Sequence, residues 1–513
     1  LVTIVDPHIK NDPGYYVSKE GTELGYWVKG PDGTTDYQGW CWPGNSNWVD
    51  YMNPEARGWW IQKFAFDQYK YSTSDLHIWN DMNEPSVFNG PEITMPKDLK
   101  HFGGWEHRDM HNINGLLYHM TSLQGAQRRT EIPRRAFVLS RAFFSGTQRL
   151  SAVWTGDNMA NWDHLALSLS MVLSSNAAGV PFIGADVGGF FGNPDAELLA
   201  RWYQAGAFQP FFRAHAHIDS TRREPWLFEK RYMDIMREAI RTRYALLPYW
   251  YTVFRQSALT GMPIARPMFV EFPAAADLFG SDSQYMVGEA LLVRPVTKPG
   301  VTSVEVTLPA GQPWFDYFSH VQYPAGQIDA ASPLERTPVY IRGGSIVPTR
   351  QRVRSASTLM ESDPFTLVVA LDADGTATGE LYVDDGETFE FLDGNYLHRR
   401  FTFKGDTLRC AHADGYDPLS LLELPGKHEE YATTDAVKTL RVERVIILGA
   451  PATAKWRRAV IESSKKTAER EVEVTCSEVP AALGDAGAIT STRCVIRDPA
   501  TLVGNNWSIR LSA

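Results

Sequence analysis

Two acids are marked by where they fall. Asp81 closes the run "DLHIWND" and Asp157 closes "SAVWTGD", each with a tryptophan shortly before it, Trp79 and Trp154. Aspartate is a poor strand residue, so an acid ending a β-like run serves as a cap or as chemistry. Strand alternation puts Trp79 and Asp81 on one side and Ile78 and Asn80 on the other. Two carboxylates at one mouth, among aromatic rings, are the parts glycoside hydrolysis needs: one meets the anomeric carbon, the other protonates the leaving oxygen. Other apolar runs end in Asp6, Arg141, Asp186 and His215. Arg141 either pairs with a carboxylate or holds a substrate hydroxyl, and a neutral His215 suits hydrogen bonding to a sugar. His215 and His217 share a face, but only Asp219 offers a third ligand, so neither a metal nor a cofactor is expected. Glu84, beside Pro85, reads as a residue that orients the surroundings of Asp81. Asp163 reads as a first-turn helix acid.

These residues need a scaffold that aligns strand ends. Candidate strands at 1–5, 75–81, 136–140, 151–157, 180–188 and 208–215 alternate with candidate helices at 54–69, 111–129, 162–179 and 196–206. Buried strands alternating with helices predict a parallel sheet covered on both faces. Chemistry at many strand ends predicts a (β/α)8 TIM barrel rather than a doubly wound sheet with one switch point. Only six strands can be counted, so the expected barrel lacks its first two. The opening "LVTIV" reads as a buried strand, and the expectation is a chain cut from a longer precursor.

A long helix is predicted over 229–261, with Pro248 inside it as a possible kink. Short alternating runs with Gly, Pro and Asp turns then predict two C-terminal β-sandwich domains. The expected boundaries are 1–262 for the barrel, with an insert at about 10–48, then 263–349 and 350–513. Net charge is −10 and no Lys/Arg run stands out, which argues against nucleic acid. No apolar stretch approaches the ~18–20 residues of a membrane span. The 16 tryptophans fit a large aromatic core or sugar-stacking faces. Cys476 and Cys494 flank a Gly/Ala-rich loop, where a hairpin disulfide and free thiols are both compatible. The sequon Asn506-Trp507-Ser508 points to a secretory route.

Taken together, "WNDMNEPSVF", "RAFFSGTQR", "WTGDNMANWDH", "FIGADVGGFFG" and "FRAHAHIDSTRREPW" closely resemble glycoside hydrolase family 31. The resemblance runs over nearly the whole chain and is nearest to members of the endoplasmic reticulum lumen that process N-glycans. It implies a retaining mechanism with Asp81 as nucleophile and Asp157 as acid/base, the latter with a raised pKa. It carries Arg141, Asp186 and His215 over as contacts to the glucose hydroxyls, and Trp79, Met82, Trp154 and Phe190 as pocket walls. Asp6 is a further candidate contact, and Trp42 of "GWCWPG" would lie near the entrance. The family's substrate-binding Asp on an early strand has no match here, nor has its N-terminal β-sandwich. That N-terminal portion is therefore an expected partner, beside a glucosylated high-mannose N-glycan as substrate and a non-catalytic β subunit. Another family 31 activity, such as α-xylosidase, and an inactive glycan binder remain as rivals.

Overall fold

The structure is a computed structural model describing residues 1–413, 430–451, 453–463, 469–481 and 487–513. It divides into two compact units, Leu1–Gly156 with Glu387–Phe389, and Asp157–Gly386 with Glu390–Ala513. Among the described residues no helix is long and apolar enough to cross a membrane.

The first unit runs through β1 (Val2–Ile4), β2 (His8–Lys10), α1 (Tyr16–Glu23), β3 (Gly39–Cys41), β4 (Gly44–Trp48), α2 (Pro54–Gln62), β5 (His77–Asn80), α3 (His107–Gln127), β6 (Val138–Ser140) and β7 (Val153–Trp154). β1, β5, β6 and β7 pair in parallel, with Ile4 opposite Trp79, Asn80 opposite Ser140, and Ser140 opposite Val153. This register brings Asp6, Asp81 and Arg141 to one end of three adjacent strands. On β5 the predicted alternation holds, with Ile78 and Asn80 fully buried. α2 starts where Asn53 caps the Glu55 amide at 2.9 Å and Pro54 fills the first turn. Trp59, Trp60, Phe64, Tyr118 and Leu123 pack from α2, the residues just after it and α3 onto Ile78 and Val138. Each such side chain contributes roughly 1.5–3 kcal/mol by burial. The insert folds as a three-stranded antiparallel sheet, β2–β4–β3.

A chain of imidazoles joins α3 to Asp50, two residues after β4. Asp50 Oδ1 meets His101 Nδ1 at 2.8 Å, His101 Nε2 meets His107 Nδ1 at 3.0 Å, and His107 Nε2 meets His111 Nδ1 at 3.0 Å. Burial, then the neighbouring His101 and His111, push His107 down to about 3. Its folded-state pKa is thus below the unfolded value near 6.5, so the unfolded chain gains the proton first. Stability carried by neutral His107 is complete above that value and is lost as pH falls from about 6.5 toward 3. In His107→Gln, urea unfolding at stepped pH is expected to show lower stability at pH 7. The variant's decline between pH 6 and 4 should be shallower by up to ~1.4 kcal/mol per pH unit; an unchanged slope would remove His107 from the account. A cavity of about 460 Å³, lined by Lys29, Asp50, Asn53, Lys100 and His101 among others, opens beside this chain and shares no residue with the strand ends.

The second unit begins with α4 (Trp162–Ala177), β8 (Ile183–Gly184), β9 (Asp186–Val187), α5 (Ala196–Gly206), β10 (Arg213–Ala214), α6 (Lys230–Ala245) and α7 (Leu247–Thr260). Asn161 and Asp195 cap α4 and α5, accepting from His164 N at 2.8 Å and Leu198 N at 2.7 Å. Asp163 lies in the first turn of α4, as expected. The predicted strand at 180–188 is broken at Ala185, whose amide donates to Gln209 Oε1 at 3.1 Å instead of to a neighbouring strand. β9 and β10 pair in parallel, Asp186 opposite Arg213. The single helix expected over 229–261 is two helices, divided at Leu246. Pro248 is the cause, since proline belongs in a first turn and cannot donate from a helix interior. Gly261, at φ +74°, ends α7 in the left-handed conformation.

Further on, a six-stranded sheet lies between Ala265 and Arg342, with a separate hairpin of Ser303–Leu308 and Gly326–Ala331. Among the described residues, ten strands from Ser345–Thr349 to Trp507–Ser512 follow, and their order closes on itself. Where two facing sheets were expected, hydrogen bonding therefore runs as one closed ring around Phe365, Leu367, Phe401, Ile447 and Trp507. Cys476 and Cys494 face each other across two of these strands and form a disulfide.

Candidate active site

In the first unit the guanidinium of Arg141 gathers the acids. Its Nη1 lies 3.1 Å from Asp81 Oδ1, and its Nε and Nη2 donate to Glu84 Oε1 and Oε2 at 2.8 and 3.1 Å. Burial alone would raise the Glu84 carboxyl. The hydrogen bonds and charge of Arg141, with Ser86 Oγ, reverse this and hold it below the usual range. Glu84 is therefore the residue that fixes Arg141, a more definite part than its sequence suggested. Asp81 Oδ1 also accepts from the Met82 amide at 2.9 Å, and Met82 takes a positive φ of 56° that turns the chain directly after the acid. The Met82 sulfur sits 3.0 Å from Arg141 Nη2.

Asp6 differs from its neighbours. Burial first, then the negative charge of Asp81, raises it to about 7, with Arg141 pulling the other way. Its Oδ1 is buried without a hydrogen-bond partner, and its Oδ2 lies 3.6 Å from His8 Nε2. Burial lowers His8 to about 4, so the ring is neutral beside it. Asp6 is thus a carboxyl raised well above the usual carboxylate range, at the edge of the group. Trp79 packs edge-on against Trp154 at 5.5 Å, and Trp154 is only 1% exposed, so it backs the Trp79 ring. Trp42 is 69% exposed at the tip of the β3–β4 hairpin and packs edge-on against Phe88 at 4.8 Å. Phe88 was not singled out in the sequence. The Phe88 amide donates to Trp40 O at 2.8 Å, which ties the hairpin to the loop that follows Asp81.

The second unit holds Asp157, Asp186, Phe190 and His215. Asp186 is fully buried, with Arg213 Nε and Nη2 donating to its Oδ1 at 3.1 and 2.5 Å and its Oδ2 unpartnered. Burial raises its pKa to about 6 against the pull of Arg213. Arg213 was missed in the sequence, although its place two residues before His215, on the same face of a strand, could have marked it. Phe190 stacks on His215 at 5.3 Å with 23° between the rings. Burial, then the charges of Arg213 and Arg223, lower His215 to about 4, so it is a neutral donor and acceptor. His217 packs edge-on against Phe190 at 5.4 Å, and its Nδ1 accepts from the Asp219 amide at 3.2 Å, a loop-structuring role.

Strand-end carboxylates, with Asp81 held by Arg141 and Asp186 by Arg213 and aromatic rings in each unit, are the equipment of a sugar-cleaving barrel. Residues 1–253 match the Glycosyl hydrolases family 31 TIM-barrel domain, and residues 261–347 match the Glycosyl hydrolase family 31 C-terminal domain. The chain belongs to glycosyl hydrolase family 31. It is 47% identical over 514 residues to the neutral alpha-glucosidase AB of Homo sapiens, covering 100% of this chain and 51% of that protein. Among solved structures it is similar to the glucosidase II alpha subunit bound to alpha3-Glc2, with a TM-score of 0.92 and 44% identity, covering 100% of this chain and 54% of that one. The same figures hold for the catalytic subunit in an ER glucosidase II heterodimer with the binding domain of its regulatory subunit. The chain spans about half the length of the curated relatives it matches.

Proposed function

We propose that this chain carries the catalytic residues of a retaining, exo-acting α-glucosidase that trims terminal α-1,3-linked glucose from high-mannose N-glycans. The observation that carries the reading is Asp81 at the end of β5, with its carboxylate 3.1 Å from a guanidinium that Glu84 holds from the other side. In this reading Asp81 attacks C1 while Asp157 gives its proton to the glycosidic oxygen, so the C1–O bond breaks as the ester to Asp81 forms. Asp157 then takes a proton from water as that water attacks C1, releasing α-glucose and regenerating Asp81. Arg141, Asp186 and His215 hold hydroxyls of the glucose unit, and Trp79, Met82 and Phe190 border it. Residues 1–262 supply six strands of a (β/α)8 barrel, followed by β modules at 263–349 and 350–513, the second built on the closed ring of strands.

The substrate assignment rests on the likeness to glucosidase II, whose solved relatives are described with bound alpha3-Glc2. The heterodimer among the relatives supports a regulatory partner, the glucosidase II β subunit, and residence in the endoplasmic reticulum lumen. The disulfide of Cys476 and Cys494 fits that oxidising compartment. Labelling the full-length protein with 5-fluoro-α-glucosyl fluoride and mapping the modified peptide tests the chemistry. The label is expected on Asp81; attachment elsewhere overturns the assignment. Parallel assays on α-1,3-glucosyl glycans and α-xylosides test the substrate class.

A further inference from the structure

Asn158 directly follows Asp157, yet its side chain turns away from solvent into the loop after β9. Its Oδ1 accepts from the Phe190 amide at 2.9 Å, and its Nδ2 donates to Asp186 O at 3.2 Å. Its own carbonyl accepts from the amides of Phe190 and Phe191 at 2.8 and 2.9 Å. One buried amide thus bonds both to the backbone of Asp186, which begins β9, and to the backbone that carries Phe190. The approach is close enough to need glycine: a Cβ on Gly189, at φ +79°, would lie 2.4 Å from Ala160 N. From the far side Arg223 grips the same loop, with Nη1 donating to Gly188 O at 2.8 Å and Nη2 to Gly189 O and, at 2.8 Å, to His215 O.

Asp157 itself is exposed on a bend. Gly156 before it takes a φ of +79°, so the chain turns sharply between β7 and the Asn158 anchor. We infer that Asn158 is a positioning residue for the Asp157 carboxyl, locking the acid/base loop to the Phe190–His215 wall. This inference rests on the reading of Asp157 as acid/base. A carboxyl displaced by an ångström still titrates but no longer meets the glycosidic oxygen. The loss then falls on the step in which the proton moves to a poor leaving group.

The test compares kcat/KM for an alkyl α-glucoside and for α-glucosyl fluoride in the full-length protein. Both values report formation of the glucosyl-enzyme, and only the alkoxide leaving group needs the proton. Asn158→Ala is expected to lower the first value by about 10²-fold and the second by less than about threefold. The ratio of the two, taken on one preparation, is independent of the folded fraction. Asn158→Ser, which keeps a hydroxyl acceptor for the Phe190 amide, is expected to fall between wild type and the alanine variant, and serves if the alanine variant does not fold. Asp157→Ala is run alongside. If that variant shows the leaving-group dependence and the Asn158 variants lose both substrates equally or neither, the inference on Asn158 fails alone. If Asp157→Ala shows no such dependence, the acid/base reading fails with it.

Discussion

Asp81→Asn is expected to lower turnover of α-glucosides by ~10⁴-fold or more while leaving the fold intact. The amide is isosteric, and its Oδ1 still accepts from the Met82 amide, so the tight turn at Met82 keeps its hydrogen bond. What changes is charge. The neutral amide no longer pairs with the Arg141 guanidinium and cannot form an ester with C1. Loss of an anion also relieves Asp6, whose raised pKa owes its second-largest part to Asp81. The variant should therefore unfold at a midpoint close to that of wild type, still bind glucose-like inhibitors, and take no 5-fluoroglucosyl label. Urea unfolding, inhibitor titration and mass mapping check the three outcomes. Appreciable turnover by a preparation free of wild-type enzyme would remove Asp81 from the nucleophile's place.

Arg141→Met is expected to cost both activity and stability. The guanidinium pairs with Asp81 and Glu84 at once, and its side chain is 18% exposed. Removing it leaves these two carboxylates and Asp6 facing one another without a cation. Breaking a partly buried pair in this way costs about 2–4 kcal/mol, less than for a fully buried one because Glu84 keeps some contact with water. Turnover should drop by ~10³-fold, since the same arginine orients the attacking carboxylate. The pH dependence has a definite sign. Glu84 is held below its usual value in the folded protein, so the stability it contributes is present above the unfolded carboxylate range and lost as pH falls through the folded value. The gap between wild type and Arg141→Met should be widest above about pH 5 and should close in acid. Glu84→Gln added to Arg141→Met should recover part of the lost stability and none of the activity. Arg141→Lys restores charge but not the two-nitrogen grip on Glu84, so it should rescue stability better than turnover.

Much of the scaffold was legible because strands and helices announce themselves locally. Periodic apolar runs marked β5, β6, α4 and α5. Pro248 marked a kink in one long helix, whereas the structure has two helices, because the proline falls in the second helix's first turn. Closure of the C-terminal strands into one ring was not legible. It depends on which distant strands pair, such as 365–370 with 441–450, and alternation within a strand carries no record of its partner.

The sequence by itself determined the kinds of group available: two strand-end acids with tryptophans before them, an arginine, a histidine, and the chain positions at which each ends a strand. Tertiary structure decided what each does. Arg141 reaches Glu84 across 57 residues, Asn158 reaches Asp186 across 28, and Phe88 meets Trp42 from a different loop. Such pairings arise from the register of parallel strands, which brings distant segments within hydrogen-bond reach, and no local pattern encodes that register. Glu84 could be read as orienting the surroundings of Asp81, but its partner Arg141 came only with the fold, and Asn158 had the ordinary look of a loop residue until Asp186 and Phe190 were brought to it.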